Sequence, residues 1–299
     1  MNYKKAKLEF FYIRKSFFEY KRGFKYLKNK YFLAKEILDK KQVFEKPVNH
    51  NDLSVHLLAG RSHLIMCIWS LASFYRNMKT VGHVYLHSDG SLTKQDKDTI
   101  LNFFPSIKII EPEFFLKNNL NKMESYPIIK DFRLNYPQYF LLKKIIDPYF
   151  ISNKKYHLII DSDLAWFKNP EEIENEIQKG CQDSLMMENN RNCFIYFKDG
   201  SILNEKLVEY NSGVVLYKKE NFDLEKFGNY LNKLDTNKKE NKHFIEQAGY
   251  AYSLENLKKL PKNYTVAGDL NENTTMKHYT SVRRPLFYIE ALEKLKKQF

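Results

Sequence analysis

The stretch Tyr156–Ile173 reads YHLIIDSDLAWFKNPEEI, and its interpretation decides the fold. Its opening run, YHLII, is apolar and of strand length, as a buried strand requires. Asp161 and Asp163 follow, one residue apart, where the chain leaves that strand. Asn169 and Pro170 then open a helix through NPEEIENEIQK, with Asn169 as its cap and Pro170 at its first position. In open α/β sheets, ligands sit beyond the carboxyl ends of the strands, and the carboxylate pair stands at such an end. If the chain turns there, both side chains reach one hard cation. Mg2+ or Mn2+ held in this way keeps positions open for phosphate oxygens.

Spacing alone says little, because 14 Asp in the chain give roughly one Asp-X-Asp by chance. The sequence contains such a chance pair in Asp96-Lys97-Asp98, inside the helical stretch TKQDKDTILNFF that Thr93 and Asp96 cap. Only Asp161-Ser162-Asp163 follows a buried strand.

Working outward, LSVHLLAG (Leu53–Gly60), GHVYLHSDG (Gly82–Gly90) and SIKIIEP (Ser106–Pro112) read as strands. Helical stretches alternate with them: SHLIMCIWSLASFYRNM (Ser62–Met78), then YPQYFLLKKIIDPYF (Tyr136–Phe150) ahead of the carboxylate strand. YNSGVVLYKK (Tyr210–Lys219) is a later strand, followed by helices LEKFGNYLNKL and HFIEQAGYAYSLENL. This alternation predicts an α/β fold with a mostly parallel central sheet and helices on both faces.

The three cysteines, Cys67, Cys181 and Cys193, have neither CxxC spacing nor an even count, which argues against a disulfide framework and a structural zinc site. No apolar run approaches the roughly 18 residues of a membrane span, and no signal-peptide stretch opens the chain. A reducing, cytoplasmic setting is expected.

The net charge of +13 is unevenly distributed. Residues 1–46 hold 14 Lys and Arg against 5 Asp and Glu, so most of the excess lies in the first sixth of the chain. There Leu8, Phe11, Tyr12, Phe18, Leu27, Tyr31, Phe32 and Leu38 recur at three- and four-residue steps among the basic residues, with a break at Gly23. A basic amphipathic helix of this kind can lie on an anionic bilayer, or it can pack on the body with a solvated basic face. Without a recognisable RNA or DNA module, nucleic acid is not an expected partner. Residues 1–50 are thus read as a basic, aromatic-rich helical segment and residues 51–299 as the α/β body.

LIIDSDLAWFKNP resembles the metal-binding segment of nucleotide-sugar glycosyltransferases of the Rossmann-like glycosyltransferase-A fold, especially their galactosyl- and glucosyltransferase branch. YNSGVVLYKKENF, HFIEQAGYAYSL, MKHYTS and WSLASFYRN with VYLHSDGSLT are similar to further segments of that superfamily, in the expected order across about residues 53–290. The resemblance implies a metal-dependent enzyme that moves a hexose from a nucleotide-diphosphate sugar, UDP-linked, to a hydroxyl of a glycan or lipid-linked glycan. It implies Mn2+ or Mg2+ on Asp161, Asp163 and His278, with Asp161 also near the ribose.

By the same resemblance, Asn211, Ser212 and Gly213 contact the donor sugar, and Glu246 and Gln247 lie beside the reacting carbon. Glu246 is then a base or an ion-pair stabiliser. Arg133 and Lys144 meet the nucleotide or its diphosphate, and Ala59 and Gly60 border the nucleobase pocket by fold-level analogy. The residues alone leave strand-end and helix-start turns open for the same positions. The basic leader departs from the family pattern and points to peripheral contact at the inner membrane face. Competing readings are a non-catalytic basic protein that binds membrane or nucleic acid, and a metal-dependent nucleotidyltransferase. The latter needs a glycine-rich phosphate loop, whereas LLAGRSHLIM has a single glycine.

Overall fold

A computed structural model describes residues 3–39, 43–45, 49–189, 193–203 and 209–299. The helical reading of residues 40 and 41 and the change of texture at Pro47 lie outside them.

Ten strands occur among the described residues: β1 (Asn49–Ala59), β2 (Val81–Ser88), β3 (Lys108–Ile110), β4 (Tyr156–Ile160), β5 (Leu164–Trp166), β6 (Ser184–Glu188), β7 (Tyr210–Lys218), β8 (Leu257–Lys259), β9 (Tyr264–Thr265) and β10 (Met276–His278). Seven of them form one sheet in the order β3-β2-β1-β4-β7-β6-β8. All its neighbours pair in parallel except where β7 runs against β4 and β6. The mostly parallel sheet expected from the alternation of elements is present. Strand β4 is central, and all five of its residues are buried. That burial on both faces is why it reads as a continuous apolar run rather than an alternating one.

The helices are α1 (Tyr3–Phe18), α2 (Gly23–Tyr31), α3 (Glu36–Asp39), α4 (Leu64–Asn77), α5 (Lys94–Phe103), α6 (Pro112–Asn119), α7 (Pro127–Asn135), α8 (Lys143–Ile151), α9 (Glu171–Gln178), α10 (Leu224–Lys233) and α11 (Asn241–Ser253), before a helical tail within 284–296. Helices α3, α4, α5, α9 and the tail cover one face of the sheet, and α6, α7, α8, α10 and α11 cover the other. Leu53, Val55 and Leu57 of β1 point to the first core, while Ile159 of β4 and Val215 of β7 point to the second.

One local expectation holds and one shifts. Thr93 does close a capping box with Asp96, so Asp96 of the Asp96-Lys97-Asp98 pair is committed to a helix start. Asn169, however, is not the cap of α9. Pro170 occupies that position with non-helical angles (φ −81°, ψ 71°), and the helix begins one residue later than expected.

The N-terminal segment forms a hairpin of α1 and α2. Lys21 turns the chain between them at φ 51°, and Gly23 opens α2. Its under-face is seated on the tail: Tyr12 and Tyr26 pack with Ile289, and Asn29 Nδ2 donates to Tyr288 O at 2.7 Å. Among the described residues, no helix is long and apolar enough to cross a membrane.

Candidate active site

Strand β4 delivers the carboxylate pair. Its ladder with β7 continues one step past the strand, where Asp161 N donates to Gly213 O at 2.9 Å. The chain then turns through Ser162 and Asp163 into β5, which belongs to a separate three-stranded sheet in the order β5-β10-β9. There β10 pairs antiparallel to β5 with His278 opposite Leu164, and Tyr279 N donates to Asp163 O at 3.0 Å. This small sheet brings His278 beside a carboxylate 115 residues away.

His278 Nε2 lies 3.2 Å from Asp161 Oδ2 and 3.1 Å from Asp163 Oδ1. The three ligand atoms offered by these residues lie within 4.8 Å of one another. The opposite ring nitrogen, Nδ1, donates to Asn211 Oδ1 at 2.9 Å, and the same oxygen accepts the Gly213 N–H at 2.9 Å. Asn211 thereby fixes the ring orientation and turns Nε2 to the carboxylate side, as the outer partner of a metal-bound histidine does. Gly213 completes the fit, since a Cβ there would come 2.4 Å from His278 Nδ1.

Two cations flank the trio. Lys144, projecting from α8, places Nζ 2.5 Å from Asp161 Oδ1 and 2.6 Å from Glu246 Oε1. Glu246 Oε2 also accepts the Ser212 hydroxyl at 2.7 Å, so both of its oxygens are engaged. On the other side, Arg284 Nε and Nη2 each lie 3.0 Å from Asp163 Oδ2, and Nη1 lies 2.7 Å from His63 Nε2. The Tyr12 hydroxyl of α1, buried and without a well-aligned hydrogen bond, lies beside the Arg284 guanidinium.

These charges set one another. Burial raises the Asp163 pKa, but Arg284 and His278 outweigh it and hold the carboxyl well below the usual range. Burial likewise works against ionised Asp161, and Lys144 and His278 reverse it. For His278, burial favours the neutral ring, yet the two aspartates raise its pKa to about 9. Glu246 is raised by burial in spite of Lys144. Lys144 is held charged by Asp161 and Glu246 against burial. Three carboxylates thus meet three cations, with protonated His278 filling the gap between the aspartates.

The remaining expected residues lie outside this cluster. Arg133 of α7 makes a buried bidentate pair with Asp147, at 2.7 and 3.0 Å, so its charge is committed to α8. Gln247 Nε2 donates to Cys193 Sγ at 3.2 Å. Ala59 and Gly60 close β1, and the Asp89 carboxylate lies where a Gly60 side chain would stand, 2.0 Å from an added Cβ. Arg284 was not singled out by sequence, although it stands six residues after His278 in HYTSVRRPL.

No protein-family model matches the chain, and no curated protein matches it in sequence. Solved structures do. Mouse xyloside xylosyltransferase 1, in its apo form, superposes with a TM-score of 0.51 at 11% identity, covering 78% of this chain and 98% of that one. The chain shares the fold of a glycosyltransferase. The apo bifunctional glycosyltransferase WbbM gives a TM-score of 0.51 at 10% identity over 85% of this chain, which spans 53% of the WbbM chain. In this glycosyltransferase-A fold the Asp161, Asp163 and His278 cluster stands at the carboxyl end of the central strand, where open sheets hold their ligands.

Proposed function

We propose that the protein is a metal-dependent hexosyltransferase that takes its sugar from a nucleotide-diphosphate donor, UDP-linked, and passes it to a hydroxyl of a glycan or lipid-linked glycan. The observation that carries this reading is the convergence of His278 Nε2 with Asp161 and Asp163 at the end of β4, on a glycosyltransferase fold. The leader read in the sequence over residues 1–50 would consist of the α1–α2 hairpin, with the catalytic body read over residues 51–299 taking in α3 and the start of β1 as well, and the enzyme would work on the cytoplasmic side of a membrane.

The donor set fits a divalent cation: two carboxylate oxygens and an imidazole nitrogen surround one point, and the ring is oriented from behind by Asn211. Carboxylates suit Mg2+ and Mn2+ alike, while the imidazole favours Mn2+. Asp161, Asp163 and His278 would hold the ion, which when bound neutralises charge on the departing diphosphate.

The chain's own residues supply the rest. Arg284, the cation held against Asp163, sits where the diphosphate would meet the aspartates and adds fixed positive charge there. Lys144 keeps Asp161 ionised and in place. Glu246 acts as a positioning residue for Lys144 rather than as a free base, because a general base must have an oxygen within reach of the acceptor proton and both of its oxygens are engaged. Ser212 locks Glu246 from β7. Catalysis then rests on leaving-group stabilisation and positioning.

Thermal shift against a panel of UDP and GDP compounds and their sugars, with and without Mn2+, tests the proposal. The expected result is a rise in melting temperature with a UDP-sugar that requires Mn2+ and disappears in Asp163→Asn. Absence of stabilisation by any nucleotide with either metal would overturn it.

A further inference from the structure

We propose that the outer face of the α1–α2 hairpin, with the cleft along its seam, is a docking surface for an anionic lipid bilayer. The proposal stands independently of glycosyl transfer.

The two faces of the hairpin differ in kind. The inner face, with Tyr12, Ser16, Tyr26 and Asn29, is buried against the tail. On the outer face of α1, Tyr3, Lys7, Phe10, Arg14 and Phe18 follow one another at three- and four-residue steps, so they form a single stripe, and all are exposed. Phe10 is 68% exposed and Phe18 79%. The second helix repeats the pattern: Phe24 is 82% exposed and Phe32 73%, with exposed Lys28 between them. Phe17 and Phe24 pack edge to face across the turn, ring centroids 5.2 Å apart, which joins the two stripes at the hairpin tip. Large rings left in water in such a row mark a contact surface.

The charge selects the partner. Residues 3–35 carry 11 Lys and Arg against 2 acidic residues. Both acids are already taken by the hairpin's own lysines, Glu19 by Lys15 at 2.6 Å and Glu9 by Lys30. The outward field is therefore of one sign. Along the seam with the tail lies a cleft of about 500 Å3 that Arg22, Lys25, Lys294 and Lys297 line. Its two acids are also engaged, Glu293 by Lys25 at 2.9 Å and Glu290 by Lys277 at 2.5 Å. With Lys25 given to Glu293, Arg22, Lys294 and Lys297 remain around the cleft to meet a phosphate headgroup.

Cations and rings alternate along the exposed stripe of each helix, so within a stripe both enter the partner at similar depth. The bilayer interface accepts that arrangement, with rings at the headgroup level and ammonium and guanidinium groups on lipid phosphates. Single-stranded nucleic acid is instead tracked along a basic groove with rings on its floor, whereas here the exposed Phe10, Phe18, Phe24 and Phe32 stand on the helices and none of them lines the cleft.

The test is co-sedimentation of the full chain with phosphatidylglycerol-containing vesicles, phosphatidylcholine vesicles and a fluorescent oligonucleotide. The expected result is binding to the phosphatidylglycerol vesicles at least about tenfold tighter than to neutral ones, weakening as salt rises. Phe10→Ser/Phe18→Ser/Phe24→Ser should weaken vesicle binding about tenfold or more at an unchanged melting temperature. Lys294→Glu/Lys297→Glu should weaken it independently, and decides the matter if the triple variant does not fold. Equal pelleting with neutral and anionic vesicles, unchanged binding by the variants, or binding to the oligonucleotide alone would overturn the proposal.

Discussion

The ammonium of Lys144 lies 2.5 Å from Asp161, at the end of the central strand, and is itself almost fully buried. With Glu246 on its other side, it is the hub of a buried charge cluster rather than a solvated surface lysine. Removing one partner of such a cluster leaves uncompensated buried charge. Lys144→Met should therefore destabilise the fold by about 3–5 kcal/mol, and the double variant Lys144→Met/Glu246→Gln should recover most of the loss. Urea unfolding of the two variants checks this; equal losses would mean that unpaired Glu246 is not the source of the destabilisation.

Asn211 should govern metal affinity without touching the metal. Its Oδ1 receives the proton on His278 Nδ1 and so presents Nε2 to the aspartates. Asn211→Ala should lower Mn2+ affinity about 10- to 100-fold in the absence of any donor. Isothermal titration with Mn2+ alone separates this from a contact with the sugar, which would leave metal affinity intact.

Gly213 leaves room for the same ring. The methyl group of Gly213→Ala would press on His278 Nδ1 and on Asn211 Oδ1. The expected outcome is a loss of about 1–3 kcal/mol of stability with Mn2+ binding abolished and far-UV circular dichroism unchanged. Retained Mn2+ binding would show that the histidine can move aside.

Acid should unfold the protein through histidines away from the site. His56, His87 and His157 line up across β1, β2 and β4, with His56 Nδ1 3.0 Å from His87 Nε2 and the rings of His56 and His157 stacked. Burial lowers all three pKa values, to about 3 for His87 and His157. The unfolded chain binds these protons near pH 6.5 while the folded one refuses them, so the stability is complete above that pH and is lost as pH falls towards 3. Each such histidine should contribute a slope of up to about 1.4 kcal/mol per pH unit in that window. Urea midpoints at several pH values between 7.5 and 4.5 measure the slope, and His157→Gln should flatten it.

The carboxylate pair was legible because β4 is buried on both faces, which leaves a strand-length, largely apolar run with the aspartates as its abrupt end. His278 was legible only through its resemblance to a C-terminal family segment, since no local pattern reveals that β10 pairs with β5. Arg284 was missed because it sits beside Arg283 in a basic tail, and two adjacent arginines read as solvated surface. Lys144 was noticed, but its two partners were not: a lysine in an apolar helix looks like a snorkelling surface residue until the strands that oppose it are known. Arg133 looked equivalent in sequence and differs because Asp147, four turns of chain away on the next helix, claims it.

The pairing of β10 with β5 also has a temporal side. The carboxylates are synthesised more than a hundred residues before the histidine that joins them, so a chain still short of residue 276 carries the acidic half of the cluster alone. Such a chain, or one clipped in the loop before β10, would hold the aspartates with neither the imidazole nor Arg284 to balance them. The three-residue strand β10 therefore works as a seal: only when it pairs with β5 do the two aspartates gain the imidazole beside them.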